Sequence, residues 1–343
     1  MTDPFFRGTW KQARNRPRGD LICGLVDGRL FHLSDRYTTD QHAHLHDPIA
    51  DTAVEIAPPP WRAEYPKAIG TAEGWIAMLG GEVDNEPTAR CLLYEPSTNV
   101  WHEMPPIPAP CHRPEAVLVG GRIFVVSPTG NVWSWAPGEE WRIHPDLPEA
   151  VARESVAVRG VAGSVVVWSR STRGALVRLD GEQWNTLTTL DKGVEIQATE
   201  DGLRAIGGVE EATHGRIQEW RPAGWIAGGE LAKPRCNAIA VRLTDGRTVV
   251  LSGDRYDHYM EDNSTGGELD LEYRSFSQTR KYGLVECEDL ELETSTGWIS
   301  LHATRKFGWW PVIHPLSDGR LCVAQKSAPG WGYYPETHVW TPP

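Results

Sequence analysis

The chain has 343 residues, 40 % hydrophobic and 23 % charged, which supplies a buried core and is not the profile of a disordered chain. Its net charge of −12 argues against general affinity for nucleic acid or an anionic membrane, because phosphate surfaces reward clustered Lys and Arg. Sixteen Trp, 34 Gly and 26 Pro against 4 Met point to short strands joined by many turns.

The first twenty residues, MTDPFFRGTWKQARNRPRGD, contain no apolar core of signal-peptide length, and no later segment approaches the ~18 apolar residues of a membrane span. A cytoplasmic location is expected. Beyond them a glycine turn recurs: VDGR at Gly28, AEGW at Gly74, VGGR at Gly121, VAGS at Gly163, EDGL at Gly202, TDGR at Gly246 and SDGR at Gly319. The spacings are 46, 47, 42, 39, 44 and 73 residues, and five of the six fit a four-stranded propeller blade of about 40 to 50 residues. An apolar run follows each turn, from Leu30 to Leu33, Trp75 to Leu79, Ile123 to Val126, Val165 to Trp168, Ala205 to Ile206, Val249 to Leu251 and Leu321 to Ala324. Such runs suit strands covered on both faces, as when sheets stack radially.

One whole period is visible between Ala89 and Val126. Cys91–Tyr94 and Val100–Met104 are two strands around Glu95-Pro96-Ser97-Thr98, a proline-rich loop follows, and Ala116–Val119 and Ile123–Val126 flank the Gly120-Gly121 turn. A second marker keeps step: Trp101, Trp141, Trp184, Trp225, Trp298 and Trp340 each fall on the strand after the second turn of a repeat, with Val54 in that place in the first. Large aromatics there are expected to fill the wedge between neighbouring blades. Six cysteines (Cys23, Cys91, Cys111, Cys236, Cys287, Cys322) are scattered without a CxxC pair and are read as buried, reduced thiols.

These residues carry a resemblance. Tyr94 seven positions before Trp101, Tyr333 seven before Trp340, and the double glycine Gly80-Gly81 after a second strand, repeated at Gly207-Gly208, resemble the kelch repeat. Elsewhere the double-glycine place holds Ser34-Asp35, Ser127-Pro128, Ser169-Arg170, Ser252-Gly253 and Gln325-Lys326, so the likeness is to a divergent member of no particular subfamily. It implies an all-β, seven-bladed kelch-like β-propeller with four antiparallel strands per blade. One domain is expected over 1–343, with blades near 16–58, 62–104, 110–144, 150–188, 192–228, 235–302 and 308–341. The stretch Phe5 to Trp10 looks like an outer strand able to pair with the last blade and close the ring, a six-bladed ring with a decorated edge being the alternative.

The 73-residue spacing contains an insertion, 254–282, between a second strand ending at Leu251 and a third strand placed at Leu284–Glu286. It should emerge with the blade-to-blade loops on one face, where long loops commonly shape a binding surface. Leading into the innermost strands on that face are Arg18, Lys67, Arg113, Arg153, Lys192, Arg235 and Arg305, one cation per repeat. Seven converging cations would attract an acidic protein segment or an anionic small molecule, and the pattern resembles the arginine-lined mouth of kelch modules that capture acidic motifs. Local pairing with Asp20, Glu115, Glu154 and Glu195 is the plainer alternative. Trp309 and Trp310 lie on the last such loop as a possible aromatic anchor.

Metal and catalytic signals are sparse. His42, His44 and His46 share one face of a strand at a spacing able to chelate zinc or iron, but an outer, solvated strand face is the expected reading. Asp254 and His258 partly resemble the Glu-x-x-x-Asp-x-x-x-His iron site of plant nitrile-specifier kelch proteins, with Val250 standing where the Glu belongs, and a solvated acidic loop is expected instead. No GxSxG, P-loop, dinucleotide fingerprint or HExxH is present. The leading expectation is therefore a non-catalytic recognition propeller, monomeric and without a cofactor, binding a protein segment or anionic ligand on its loop face. The alternative is an enzyme, a lyase or epimerase, with Arg113, Arg153 and Arg235 holding substrate at the axial mouth and His112 or Glu154 as acid or base.

Overall fold

The computed structural model describes residues 9–14, 21–25, 27–34, 41–151, 156–199, 202–209, 215–221, 224–251, 253–262, 278–286, 289–302, 311–324 and 337–343, with the backbone alone for 255–262, 278–286 and 302. Every described element is a β-strand, and the strands form seven four-stranded antiparallel sheets.

A closing strand, β1 (Thr9–Gln12), comes first. Blade 1 is β2 (Leu21–Gly24), β3 (Leu30–Leu33), β4 (Ala43–Asp47) and β5 (Thr52–Ile56). Blade 2 is β6 (Lys67–Gly70), β7 (Ile76–Leu79), then a small hairpin of β8 (Glu82–Val83) and β9 (Glu86–Pro87), then β10 (Cys91–Glu95) and β11 (Val100–Glu103). Blade 3 is β12 (Glu115–Val119), β13 (Arg122–Val126), β14 (Val132–Trp135) and β15 (Arg142–His144), and blade 4 is β16 (Val156–Val161), β17 (Ser164–Ser169), β18 (Gly174–Asp180) and β19 (Gln183–Leu190). Blade 5 is β20 (Glu195–Ala198), β21 (Leu203–Ile206), β22 (Arg216–Arg221) and β23 (Gly224–Glu230). Blade 6 begins with β24 (Ile239–Arg242) and β25 (Thr248–Leu251), is interrupted by the hairpin β26 (Asp254–Asp262) and β27 (Gln278–Glu286), and resumes with β28 (Asp289–Thr294) and β29 (Gly297–His302). Blade 7 has β30 (Val312–Pro315), β31 (Leu321–Ala324) and β32 (Thr337–Thr341), and β1 is its fourth strand.

The first strands of successive blades touch in turn, and β30 touches β2, so seven blades close a ring around an axis. Closure is made by the N-terminal strand, with Trp10 opposite Trp340 and Lys11 opposite Val339. Each gap between blades holds its own apolar cluster, which explains why the second strands are apolar without alternation. Leu321 and Val323 face blade 6, while Cys322 and Ala324, one residue out of phase, face blade 1. Six of the seven turns work as read: Gly28, Gly74, Gly121, Gly163, Gly246 and Gly319 have φ between 78° and 88°, where a side chain is disfavoured, while Gly202 is near-extended with φ 157°. Tryptophans tie the wedges as well as filling them. The indole N–H groups of Trp101, Trp141 and Trp184 donate to the carbonyls of Ala57, Pro105 and Pro145, each in the loop leaving the preceding blade, at 2.7 to 2.8 Å.

Blade 6 departs from the sequence expectation. Leu284–Glu286 is the returning arm of the inserted hairpin, paired with Asp254–Tyr256, and the true third strand is Asp289–Thr294. Leu290 and Leu292 supply its apolar face, and their alternation with Asp289 and Glu291, which are also buried, and with Glu293 disguised it as a polar loop.

Candidate functional site

The face carrying the blade-to-blade connectors and the loops after the second strands is built on a repeated backbone device. Two residues before the innermost strand the chain turns into the left-handed region, at Tyr65 (φ 52°), Arg113 (φ 48°), Gly193 (φ 76°) and Asn237 (φ 53°). The residue before that position hydrogen-bonds to the third residue after the same blade's second strand: Glu64 with Glu82, Lys192 with Val209, Cys236 with Asp254. The double glycine lies between. A Cβ on Gly81 would sit 2.5 Å from the Glu64 carbonyl oxygen, and one on Gly253 would strike the carbonyl of Cys236, so these glycines admit the connector backbone.

The seven expected cations do not share one place in this device. Relative to the first residue of the innermost strand, Lys67 is that residue, Arg113 lies two before it, Lys192 three before and Arg235 four before. Their environments diverge accordingly. Lys67 donates to Glu115 of the next blade at 2.5 Å. Arg113 is exposed and stacks its guanidinium over the Tyr65 ring, 4.0 Å from the centroid, and it has no carboxylate partner among the described residues. Lys192 is exposed. Arg235 corrects the expectation of a rim cation: it is wholly buried, donating to the Asp289 carbonyl at 2.6 Å and to Glu291 at 3.0 Å. Arg18, Arg153, Arg305, Glu154, Trp309 and Trp310 lie outside the described residues.

Around Arg113 the chain assembles a compact polar corner. His112 pairs with Glu82, and its ring lies 6.0 Å from that of Tyr65. Cations elsewhere on the face are bound into the wall. Glu195, fully buried, accepts from Arg159 at 3.0 Å and from Arg170 at 2.5 Å, and Arg170 also donates to the Ala238 carbonyl of blade 6. Neither arginine was singled out from the sequence: Arg159 lies within β16, and Arg170 follows the end of β17.

The histidine row is placed differently from the solvated face expected. β4 is an interior strand of blade 1, and the face bearing His44 and His46 turns toward blade 7; His46 is fully buried, His44 partly, and only His42 is exposed, paired with Glu55 at 2.9 Å. His32, opposite His44 in register, joins them, with its ring 5.6 Å from that of His46. Among the described residues no group of three or more His, Cys, Asp or Glu is arranged to hold a metal ion. Asp254 accepts from Asn237 at 2.9 Å, and the His258 side chain lies outside the described set.

The opposite face carries a cleft of about 450 Å³ between blades 5 and 6, lined by Arg204, Arg221, Arg242 and Arg247 with Glu219 and Glu293. Most of its charge is paired internally: Arg204 bridges Glu219 at 2.8 Å and Glu293 at 2.9 Å, Arg221 joins Glu219, Arg242 donates to the Gly246 carbonyl at 3.2 Å, and Arg247 holds Asp245. The last pair repeats at Asp27–Arg29 and Asp318–Arg320, where the Asp-Gly-Arg turns clip themselves shut.

No family model matches the chain. It is similar to a kelch repeat protein, M-T9, of Myxoma virus (30 % identity over 127 residues, 34 % of this chain and 25 % of that protein) and to mouse Kelch-like protein 35 (28 % over 193 residues, 54 % and 30 %). A third similarity is to zebrafish Kelch repeat and BTB domain-containing protein 12 (25 % over 174 residues, 41 % and 28 %). The matches thus span under a third of each curated relative. Among solved structures, a fungal alcohol oxidase of the AA5 family in complex with copper superposes with a TM-score of 0.71 at 14 % identity, over 98 % of this chain and 76 % of its own, which shows a shared fold. The seven-bladed ring, the glycine-lined connectors and these similarities define a divergent kelch-like propeller.

Proposed function

We propose that this propeller is a recognition module whose connector face binds an acidic protein segment. The kelch relatives and the fold support a protein-interaction scaffold in general terms. The observation that carries the finer reading is Arg113, exposed at the mouth, held flat against Tyr65 and without a carboxylate partner among the described residues. A guanidinium fixed by stacking keeps its in-plane donors free and has surrendered its side-chain entropy beforehand, which suits it to a bidentate carboxylate. Lys192, exposed on the same face, adds attraction without the same fixed geometry.

The test is titration of fluorescent Asp/Glu-rich peptides, with neutral peptides and a small dicarboxylate as separate arms. Arg113→Glu is expected to weaken acidic-peptide binding by about tenfold or more, the size typical of a hot-spot arginine. Equal affinity of parent and variant, or equal affinity for neutral peptides, rejects the reading. Binding of the dicarboxylate alone would assign the face to a small anion.

A second reading, an enzyme with its site at the mouth, is favoured by one contact, the pairing of His112 with Glu82 beside Arg113. Arg235 cannot hold substrate there, since it is buried and paired. Turnover of a hydroxy-acid or sugar-acid panel that vanishes in His112→Gln would establish this reading.

A further inference from the structure

The gap between blades 7 and 1 has a small apolar cluster, Ile22 and Leu30 of blade 1 against Leu316, Cys322, Ala324 and Val339 of blade 7, matched in size only by the one between blades 5 and 6. Beside it, in the same face of blade 1, lie two imidazoles with almost no exposure, His32 at 1 % and His46 at 0 %. All four of their ring nitrogens are buried and lack hydrogen-bond partners among the described residues. The opposite faces of β3 and β4 place Phe31, Leu33, Ala43 and Leu45 against blade 2, an all-apolar arrangement, so the polar rings are confined to the seam. Blade 7 is also the blade in which the first and last described strands pair, β1 with β32.

We propose that this seam is an acid-opened closure: His32 and His46 pack between blades 7 and 1 only as neutral imidazoles, and protonating them releases blade 7, with its β1–β32 pair, from blade 1. A neutral imidazole without partners costs moderately to bury, whereas an imidazolium there has lost its hydration and, among the described residues, gained no carboxylate in contact.

Among the described residues the charged and titratable neighbours are few. On blade 1, His44 lies opposite His32, His42 is paired with Glu55, and Asp47 and Asp51 draw the His46 equilibrium upward without overcoming its desolvation. From β1, Lys11 reaches Asp51 at 3.9 Å and the Arg14 amide donates to the same carboxylate at 2.8 Å, so Asp51 is already engaged across the seam. From β30, His314 packs against Gly24, is itself held below its ordinary value by burial, and is drawn up by its bond with Leu25 and by Asp27. From β31 comes the Cys322 thiol, pushed up to about 12 by burial and therefore neutral. On β32 the seam-facing residues are Thr337 and Val339, while His338 turns the other way toward Trp10. Burial, then the nearby His46 and His44, lowers His32 to about 3.

The sign follows from linkage. The closed seam refuses a proton that the open one accepts near pH 6.5, so closure is fully stable above that value and weakens as pH falls toward 3. For His32 alone, the open-to-closed ratio rises about 25-fold from pH 7 to pH 5.

The experiment is amide hydrogen exchange of the full, EDTA-treated chain at pH 7 and pH 5, corrected for intrinsic rates. Opening of β1 and β32 is expected to rise about 25-fold or more while β12 and β13 of blade 3 change less than about threefold. His32→Gln should flatten the rise, and His102→Gln, an exposed control on β11, should not. Uniform change across blades, no change at β1 and β32, or an unaltered rise in His32→Gln overturns the proposal. Should His32→Gln fail to fold, proton NMR of the parent decides: His32 is expected to show ring resonances that do not titrate between pH 8 and pH 5, and ordinary titration of His32 refutes it. Addition of zinc at pH 7 must leave the exchange of β1 and β32 unaltered; slower exchange there would mean that the rings hold a metal, which also refutes the proposal.

Discussion

The Arg235 guanidinium lies 3.0 Å from the Glu291 carboxylate, and neither side chain has any exposure. The pair joins the connector entering blade 6 to the strand that follows the inserted hairpin. Glu291 also accepts from the amides of Ala232 and Lys233 at 2.6 and 2.8 Å, so one buried carboxylate gathers three donors from the connector. Blade 6, the one blade with a long interruption between its second and third strands, is thereby held together by charge as well as by its sheet.

Removing one partner of such a pair leaves a buried, uncompensated charge. Arg235→Ala is expected to destabilise the chain by about 3 to 5 kcal/mol, read as a lowered urea midpoint. Replacing both residues, as Arg235→Met with Glu291→Leu, should recover only part of the loss, because the two amides would then be unsatisfied. A change within about 0.5 kcal/mol for Arg235→Ala would instead be the behaviour of a surface cation.

The connector glycines give a second test with an internal control. Gly81 (φ 95°) and Gly138 (φ 81°) both have left-handed backbone, but a Cβ on Gly81 meets the Glu64 oxygen at 2.5 Å and the Pro66 nitrogen at 2.9 Å, whereas one on Gly138 meets nothing within 4 Å. Gly138→Ala should cost about 1 to 2 kcal/mol from conformation alone. Gly81→Ala should cost roughly 2 kcal/mol beyond that, since backbone must move to admit the methyl. Equal thermal midpoints for the two variants would deny the close approach.

Glycine turns, apolar runs and the tryptophan marker were legible because each answers to a local requirement: a positive φ, a strand covered on both faces, a wedge to be filled. The cation row was only half legible. Matching one Lys or Arg per repeat ignores a shift of one residue, yet position decides whether the side chain stacks, as Arg113 does, or is driven inward, as Arg235 is. The same limit hid the third strand of blade 6, where Asp289 and Glu291 look like loop residues until their partners, the half-exposed Lys233 and the buried Arg235, are known. His32 could not be joined to His44 and His46 without strand register, for it lies in an apolar run whose other members are ordinary core.

At the proposed binding corner, Tyr65 contributes through Arg113. An exposed cation–π contact is worth about 0.5 to 1 kcal/mol, so Tyr65→Ala should weaken acidic-peptide binding by about 2- to 5-fold, and Tyr65→Phe should leave it nearly unchanged. The affinity should also fall as salt rises from 50 to 300 mM, since the screening length of exposed charges shrinks from about 14 Å to about 6 Å over that range. Salt-independent binding would point to apolar contacts elsewhere on the ring.

The cysteines give a chemical probe of how tightly the wedges are closed. Burial pushes the Cys23, Cys111 and Cys322 thiols up to about 12 and Cys91 up to about 11, so at pH 8 the thiolate needed for alkylation is about a thousandth or less of each. Cys23 and Cys91 lie in different wedges, and Cys111 sits on the connector between blades 2 and 3. Iodoacetamide at pH 8 should therefore leave all four peptides unmodified in the native chain and label them completely in 8 M urea, as read by peptide mass spectrometry. Labelling of Cys111 ahead of Cys91 would show that the connector lifts while the sheet beneath stays closed. On much longer exposure at pH 8, where the seam beside Cys322 is closed, slow labelling of all four at a common rate that follows global unfolding is the expected course.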